Sequence, residues 1–142
     1  VMTGCIVLLA DMIRQLEMPL RVGVIRASSY RDDTTSGKLR INSDLMLDIS
    51  GRHVLILDDI FDTGKTMIEL IAIMEKLGPS SIKTGVLLVK AGQQLVDYRP
   101  DYVGFDIPNE FVVGYGLDYR NEYRNLPFLA ALEDHEIEAP AH

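Results

Sequence analysis

Apolar residues along this chain follow two rhythms, separated by polar stretches. In residues 5–16, Ile6, Leu9, Met12, Ile13 and Leu16 recur at three- and four-residue steps, which puts them on one side of a helix. Glu17-Met18-Pro19 ends it, since proline cannot continue a helix. Residues 20–27 read as a strand, and residues 28–44 are polar and mostly small. Short strand pieces at 39–41 and 45–47 flank that stretch, and Ser50-Gly51 marks a turn. Val54-Leu55-Ile56-Leu57 is a bounded apolar run, as in a parallel strand buried on both faces. Met67, Leu70, Ile71, Met74 and Leu77 return to helical spacing, predicting a helix over 64–77 that Gly78-Pro79 stops. Residues 82–89 form another β-rich run ending in Lys90, residues 91–100 read as a connection, and strands follow at 102–105 and 128–132. The pattern predicts one α/β domain with a mostly parallel central sheet flanked by helices.

The chemistry sits where the second of these strands meets its helix. Asp58, Asp59 and Asp62 lead into Thr63-Gly64-Lys65-Thr66, so acids and hydroxyls are expected in the turn at the strand's carboxyl end, where open α/β sheets bind ligands. Backbone N–H groups at a helix start suit a phosphate, and Gly64 lets the backbone come close to it. Paired acids upstream suit sugar hydroxyls or a divalent cation, because carboxylates only accept hydrogen bonds and bind hard metals. Together they point to a phosphorylated sugar. A Walker A loop is excluded, since Asp59 stands where its first glycine is needed. A haloacid-dehalogenase-like phosphatase is excluded too, because two residues separate Asp59 from Asp62 where one is required.

Composition narrows the field. At 142 residues the chain fits one domain with a core, and no apolar run approaches the roughly 20 residues of a membrane span. One cysteine rules out an internal disulfide framework and makes a reducing cytoplasm the expected compartment. Cys5, followed by Ile6, Val7, Leu8 and Leu9, reads as a small buried residue. The three histidines have no zinc spacing, and a net charge of −7 argues against a broad nucleic-acid surface. Residues 133–142 carry part of that acidity as a solvated tail after a domain over 1–132.

Other residues admit two readings each. Lys90 is a solvent-facing strand end or, being at the ligand end of the sheet, a binding group. Phe111 is core or a platform for a planar base, and Asp118 is a turn acid or a metal ligand. Residues 28–44 are a surface loop or a functional lid. Gly114 and Gly116 imply a tight turn among aromatic rings, with Arg120 and Arg124 close by.

The stretch 58–66 resembles the 5-phosphoribosyl-1-pyrophosphate (PRPP) motif of type I phosphoribosyltransferases. Leu87-Leu88-Val89-Lys90, Tyr102-Val103-Gly104-Phe105-Asp106-Ile107-Pro108, Phe111-Val112-Val113-Gly114-Tyr115-Gly116-Leu117-Asp118-Tyr119 and Arg124-Asn125-Leu126-Pro127 extend the resemblance to the hypoxanthine(-guanine) phosphoribosyltransferases. It implies the type I fold, with a small hood and a mobile lid, and purine salvage from PRPP to IMP or GMP and pyrophosphate. By position, Asp58 and Asp59 hold the ribose hydroxyls and Asp62 is the general base at purine N7. Thr63, Gly64, Lys65 and Thr66 cradle the 5′-phosphate. Lys90 reads the purine 6-oxygen, Phe111 stacks on the base and the Val112 backbone reads the 2-position. Asp118, with Asp58, binds Mg²⁺, and Thr3, Gly4 and Arg124 contact pyrophosphate. Ser29 and Tyr30 belong to the lid, and a homodimer or homotetramer is implied.

The chain departs from that pattern in three places. Asp58 stands where the family more often has Glu, and Met2-Thr3-Gly4 replaces a Leu-Lys-Gly loop, which removes a charge from the pyrophosphate contact. About 40 residues that family members carry ahead of this loop, including a core strand and part of the hood, are expected to be missing. The rival readings are a regulator with the same fold that binds a nucleotide or RNA without useful turnover, and a relative that prefers xanthine.

Overall fold

The structure is a computed structural model that describes residues 3–25, 27–28, 40–41 and 47–137. Its elements in order are α1 (Ile6–Ile13), β1 (Ala27–Ser28), β2 (Arg40–Ile41), β3 (His53–Phe61), α2 (Lys65–Glu75), β4 (Ser81–Lys90), β5 (Tyr102–Ile107), β6 (Phe111–Val113), β7 (Ala130–Leu132) and α3 (Asp134–Ile137). β3, β4 and β5 form a parallel sheet in that order, β6 and β7 an antiparallel hairpin, and β1 and β2 a short antiparallel pair.

Packing follows from periodicity. Met67, Leu70 and Met74 recur every third or fourth position along α2 and are its buried face. They close over Ile56, Phe61, Val86 and Val89 of the sheet, and Leu70 is fully buried among them. Gly78 leaves α2 in a left-handed conformation (φ +69°), as the Gly-Pro stop predicts. Thr84 in β4 is a polar side chain that is wholly buried, and it is satisfied. Its N–H donates to Asp101 Oδ2 (2.8 Å), its hydroxyl lies 2.8 Å from the Tyr98 hydroxyl, and it accepts from the Asp101 N–H (3.2 Å). This network fixes the connection from β4 to β5.

Several boundaries differ from the sequence expectation. β3 runs on through Phe61, so Asp58 and Asp59 are strand residues and only Asp62 lies in the turn. The β4 ladder imposes this by continuing opposite them, with Asp58 against Val86 and Ile60 against Leu88. α1 stops at Ile13 rather than Leu16, and Arg14 Nε caps it by donating to Ala10 O (3.0 Å). Residues 20–25 take no regular structure, and Leu20 and Val22 are exposed. A strand exists only through its neighbour's ladder, and among the described residues none pairs with 20–25. Of the expected strand pieces, 40–41 is present, Leu47 is not in a strand and 42–46 lie outside the described residues. Ser29 and Tyr30 also lie outside them. The acidic tail opens with a helical turn, α3, to which the Tyr119 hydroxyl is tied by donating to Ile137 O.

Candidate active site

The carboxyl ends of β3 and β4 bring most of the expected residues together. Phe61 ends β3, Asp62 and Thr63 turn, and Gly64 enters α2 in a left-handed conformation (φ +82°). A Cβ at Gly64 would stand 2.4 Å from Val96 Cγ2 and 2.6 Å from Phe61 Cζ, so only glycine fits. Lys65 N–H points at Thr63 Oγ1 at 3.5 Å, and Lys65 and Thr66 are exposed at the helix start. That leaves an open, N–H-lined cradle suited to a phosphate.

The connection after β4 folds against this cradle. Leu95 N–H donates to Thr63 O (2.9 Å), and the Gln94 side-chain amide donates to both Asp62 O (3.3 Å) and Lys90 O. One side chain therefore holds the backbones of Asp62 and Lys90 at a fixed separation. Sequence reading treats 91–100 as a plain connection; the proximity that gives Gln94 its place exists only once the strands are aligned.

Asp58 and Asp59 differ sharply in environment. Asp58 is 9% exposed, and burial, reinforced by the charge of Asp59, pushes its carboxyl up to about 7. Its Oδ1 accepts from the Asp59 N–H (3.1 Å), and Asp59 Oδ1 accepts from the Ile60 N–H (2.9 Å). Asp59 Oδ2 faces Gly4, where an added Cβ would stand 1.6 Å away. On its other side, the Gly4 carbonyl meets Gly116, whose Cβ would stand 2.0 Å from that oxygen. Gly4, next to the exposed Thr3, is thus wedged between Asp59 and the turn that follows β6. Cys5 next to them is buried and donates to Leu57 O (3.4 Å), and burial raises its thiol to about 11, which makes it inert.

Lys90 ends β4 half-buried, with its Nζ 6.0 Å from the centre of the Phe111 ring. Phe111 is 38% exposed and meets Tyr119 edge-on at 5.3 Å, so one side of its ring is supported while the residue stays accessible. Val112, half-buried in β6, is opposite Ala131. Asp118 Oδ1 takes the Arg124 guanidinium (2.7 Å) and Oδ2 the Asn121 N–H (2.8 Å), while Arg124 Nη1 donates to Gly116 O (2.8 Å).

Among the described residues, no cluster of three or more His, Cys, Asp or Glu side chains is arranged to hold a metal. Mg²⁺ needs none, since it keeps several waters and is bound through one or two carboxylates plus substrate phosphates. The half-buried Asp118 carboxylate is of the right chemistry for that kind of site, but Arg124 and the Asn121 N–H engage its two oxygens, so a cation there would take the place of Arg124. The more deeply buried Asp58 is the less accessible of the two expected ligands.

The chain as a whole, in sequence and in fold, is similar to known proteins. The phosphoribosyl transferase domain family matches residues 1–120. The chain belongs to that family. It is 39% identical over 135 residues to the hypoxanthine-guanine phosphoribosyltransferase of Streptococcus pneumoniae, covering 94% of this chain and 75% of that protein. It is 38% identical to the hypoxanthine-guanine-xanthine phosphoribosyltransferase of Tritrichomonas foetus, covering 94% and 74%. Among solved structures, the Trypanosoma cruzi hypoxanthine phosphoribosyltransferase in complex with the product IMP superposes with a TM-score of 0.86 at 38% identity, covering 96% and 73%. The fold is the type I phosphoribosyltransferase fold, a parallel sheet flanked by helices.

Proposed function

We propose that this phosphoribosyltransferase works in purine salvage, moving the 5-phosphoribosyl group of PRPP onto hypoxanthine, and guanine, to give IMP or GMP and pyrophosphate. The observation that carries the reading is the Gln94 clamp, which holds Asp62, beside the phosphate cradle, to Lys90, beside the Phe111 ring. A sugar-phosphate end and a flat-base end are thereby set at a fixed separation.

The chain's own groups divide the work. The α2 start and Thr63, Lys65 and Thr66 hold the 5′-phosphate by N–H and hydroxyl donors. Asp58 and Asp59 accept from the ribose hydroxyls. The base stacks on Phe111 with its 6-oxygen at Lys90, and the Val112 backbone reads the 2-position. An ammonium has only donors, so it favours an oxygen there over the adenine amino group. Asp62 takes the N7 proton as the opposite nitrogen, N9, forms its bond to the sugar carbon that pyrophosphate leaves. Mg²⁺, held by Asp118 with Asp58 as the second ligand, would neutralise charge on the leaving pyrophosphate. Thr3, Gly4 and Arg124 line the place where that group leaves. Residues 28–44, with Ser29 and Tyr30, act as the lid that keeps water from the cationic sugar. A homodimer or homotetramer in the cytoplasm goes with this reading. The domain spans 1–132, and 133–142 follow as an acidic tail.

Pyrophosphate release from PRPP and Mg²⁺, with hypoxanthine, guanine, xanthine or adenine offered separately, tests the reading. Turnover is expected with hypoxanthine and guanine and not with adenine, and Asp62→Ala should lower kcat by about 10²–10⁴. Folded protein silent with all four bases refutes it. Xanthine as the best base would instead favour the reading of the chain as a xanthine-preferring relative.

A further inference from the structure

Tyr115 lies outside every role assigned above, yet its backbone is held in a conformation that few side chains adopt. Its φ is +51°, and it stands between Gly114 (φ +89°) and Gly116 (φ +102°). Such strain persists only where the surroundings enforce it. Here Tyr115 N–H donates to Leu126 O (2.9 Å) and Gly116 N–H to Arg124 O (3.0 Å). The Tyr115 hydroxyl in turn donates to Asp11 Oδ2 at 2.5 Å, joining residues 104 positions apart. Asp11 is in the last turn of α1, and Arg14 also pairs with it. The carboxyl of Asp11 is held below its usual range chiefly by the Tyr115 hydroxyl, whose own proton Asp11 holds more firmly.

The same short segment touches the start of α1. Gly116 abuts the Gly4 carbonyl, and Gly4 abuts Asp59. The hairpin therefore grips α1 and its preceding turn at positions 4 and 11, roughly 10 Å apart along a helix rising 1.5 Å per residue. Two grips fix tilt as well as position. Resting on the function proposed above, we infer that Tyr115 and Asp11 are positioning residues, a strut that fixes the Thr3-Gly4 turn, where pyrophosphate binds, against the hairpin that carries Phe111 and Asp118. Without the strut the turn keeps its fold but loses its fixed place, so the penalty falls on pyrophosphate rather than on the purine.

Tyr115→Phe removes the hydroxyl and keeps the ring. The strut predicts that KM for PRPP, and for pyrophosphate in the reverse reaction, rises about tenfold, as befits one hydrogen bond to a charged group. KM for hypoxanthine and the melting temperature should change little. Asp11→Ala should reproduce this, Asp11→Asn, which keeps an acceptor, should restore most of the affinity, and the double variant should be no worse than either single one. A second measurement does not need turnover: the rise in melting temperature that pyrophosphate with Mg²⁺ produces in the wild type, over Mg²⁺ alone, should shrink in Tyr115→Phe. An unchanged KM for PRPP, or a parallel loss of both affinities and stability, overturns the strut. A wild type that pyrophosphate protects and Tyr115→Phe does not, but that turns over no purine, supports the strut and refutes the substrate. A wild type that is neither active nor protected overturns both.

Discussion

Burial withdraws the Asp58 carboxylate from water, so the folded chain keeps its proton up to about pH 7, against an ordinary value of 3.8. Between those values the folded state binds more protons than the unfolded one, and stability then falls as pH rises. The Asp58 contribution is complete below about pH 4 and is lost as the pH passes 7. Melting temperatures of wild type and Asp58→Asn measured from pH 5 to 8 should diverge, with the wild type losing ground at the alkaline end. Glycines give the second residue-scale expectation. Gly64→Ala places a methyl against Val96 and Phe61 at φ +82° and should destabilise the fold by about 1–3 kcal/mol, read from urea unfolding. Gly4→Ala drives a methyl into Asp59, so its main readout should be a large loss of kcat/KM for PRPP. Gly64 was legible in the chain because a glycine between strand and helix in such a loop has a local reason. The resemblance singles out Gly4, but its contacts with Asp59 and Gly116 and the place of Tyr115 are not legible, since what they touch lies far away in sequence.

Elements were legible to the extent that each carries its own periodicity. α2 and β4 lie within a few residues of their expected places because their apolar spacing is set by burial in one core; β5 is also near its expected place, although Tyr102 and Phe105 are exposed. The acids of β3 were misplaced by a few residues because strand length is decided by the neighbour, and β4 offers partners as far as Phe61. Residues 20–25 have strand-like composition but no ladder among the described residues. The Thr84 network is likewise invisible in sequence, since a threonine inside an apolar run looks like any β-branched residue. It predicts that Thr84→Val, nearly isosteric, destabilises by about 1–3 kcal/mol in denaturant unfolding, because Tyr98 and Asp101 lose a buried partner.

For the molecule as a whole, a net charge of −7 meets a substrate carrying several phosphate charges of the same sign. In the proposed reading, donors at α2 hold one end of PRPP, Thr3 brings no charge to the pyrophosphate end, and Arg124, also assigned to that end, is paired with Asp118. Under that reading the enzyme should lean heavily on a divalent ion. Removing Mg²⁺ with EDTA should lower kcat/KM for PRPP by at least about 10², a term of a few kcal/mol. Added salt should lower the residual KM, because it screens like-charge repulsion. Titrating both in a turnover assay checks this.

Asp59, Gly4 and Gly116 come from three distant parts of the chain, with the Asp59 carboxylate against Gly4 and the Gly4 carbonyl against Gly116. For directed evolution this stack is a source of epistasis. A library that remodels the hairpin for a new base would also shift the wall behind Gly4, and first-round winners should lose PRPP affinity as they gain the base. Recovery should then come from second-site changes near positions 4 and 11, rather than from the pocket under selection. Libraries that randomise the hairpin and the start of α1 together should reach a new specificity in fewer steps than hairpin libraries alone.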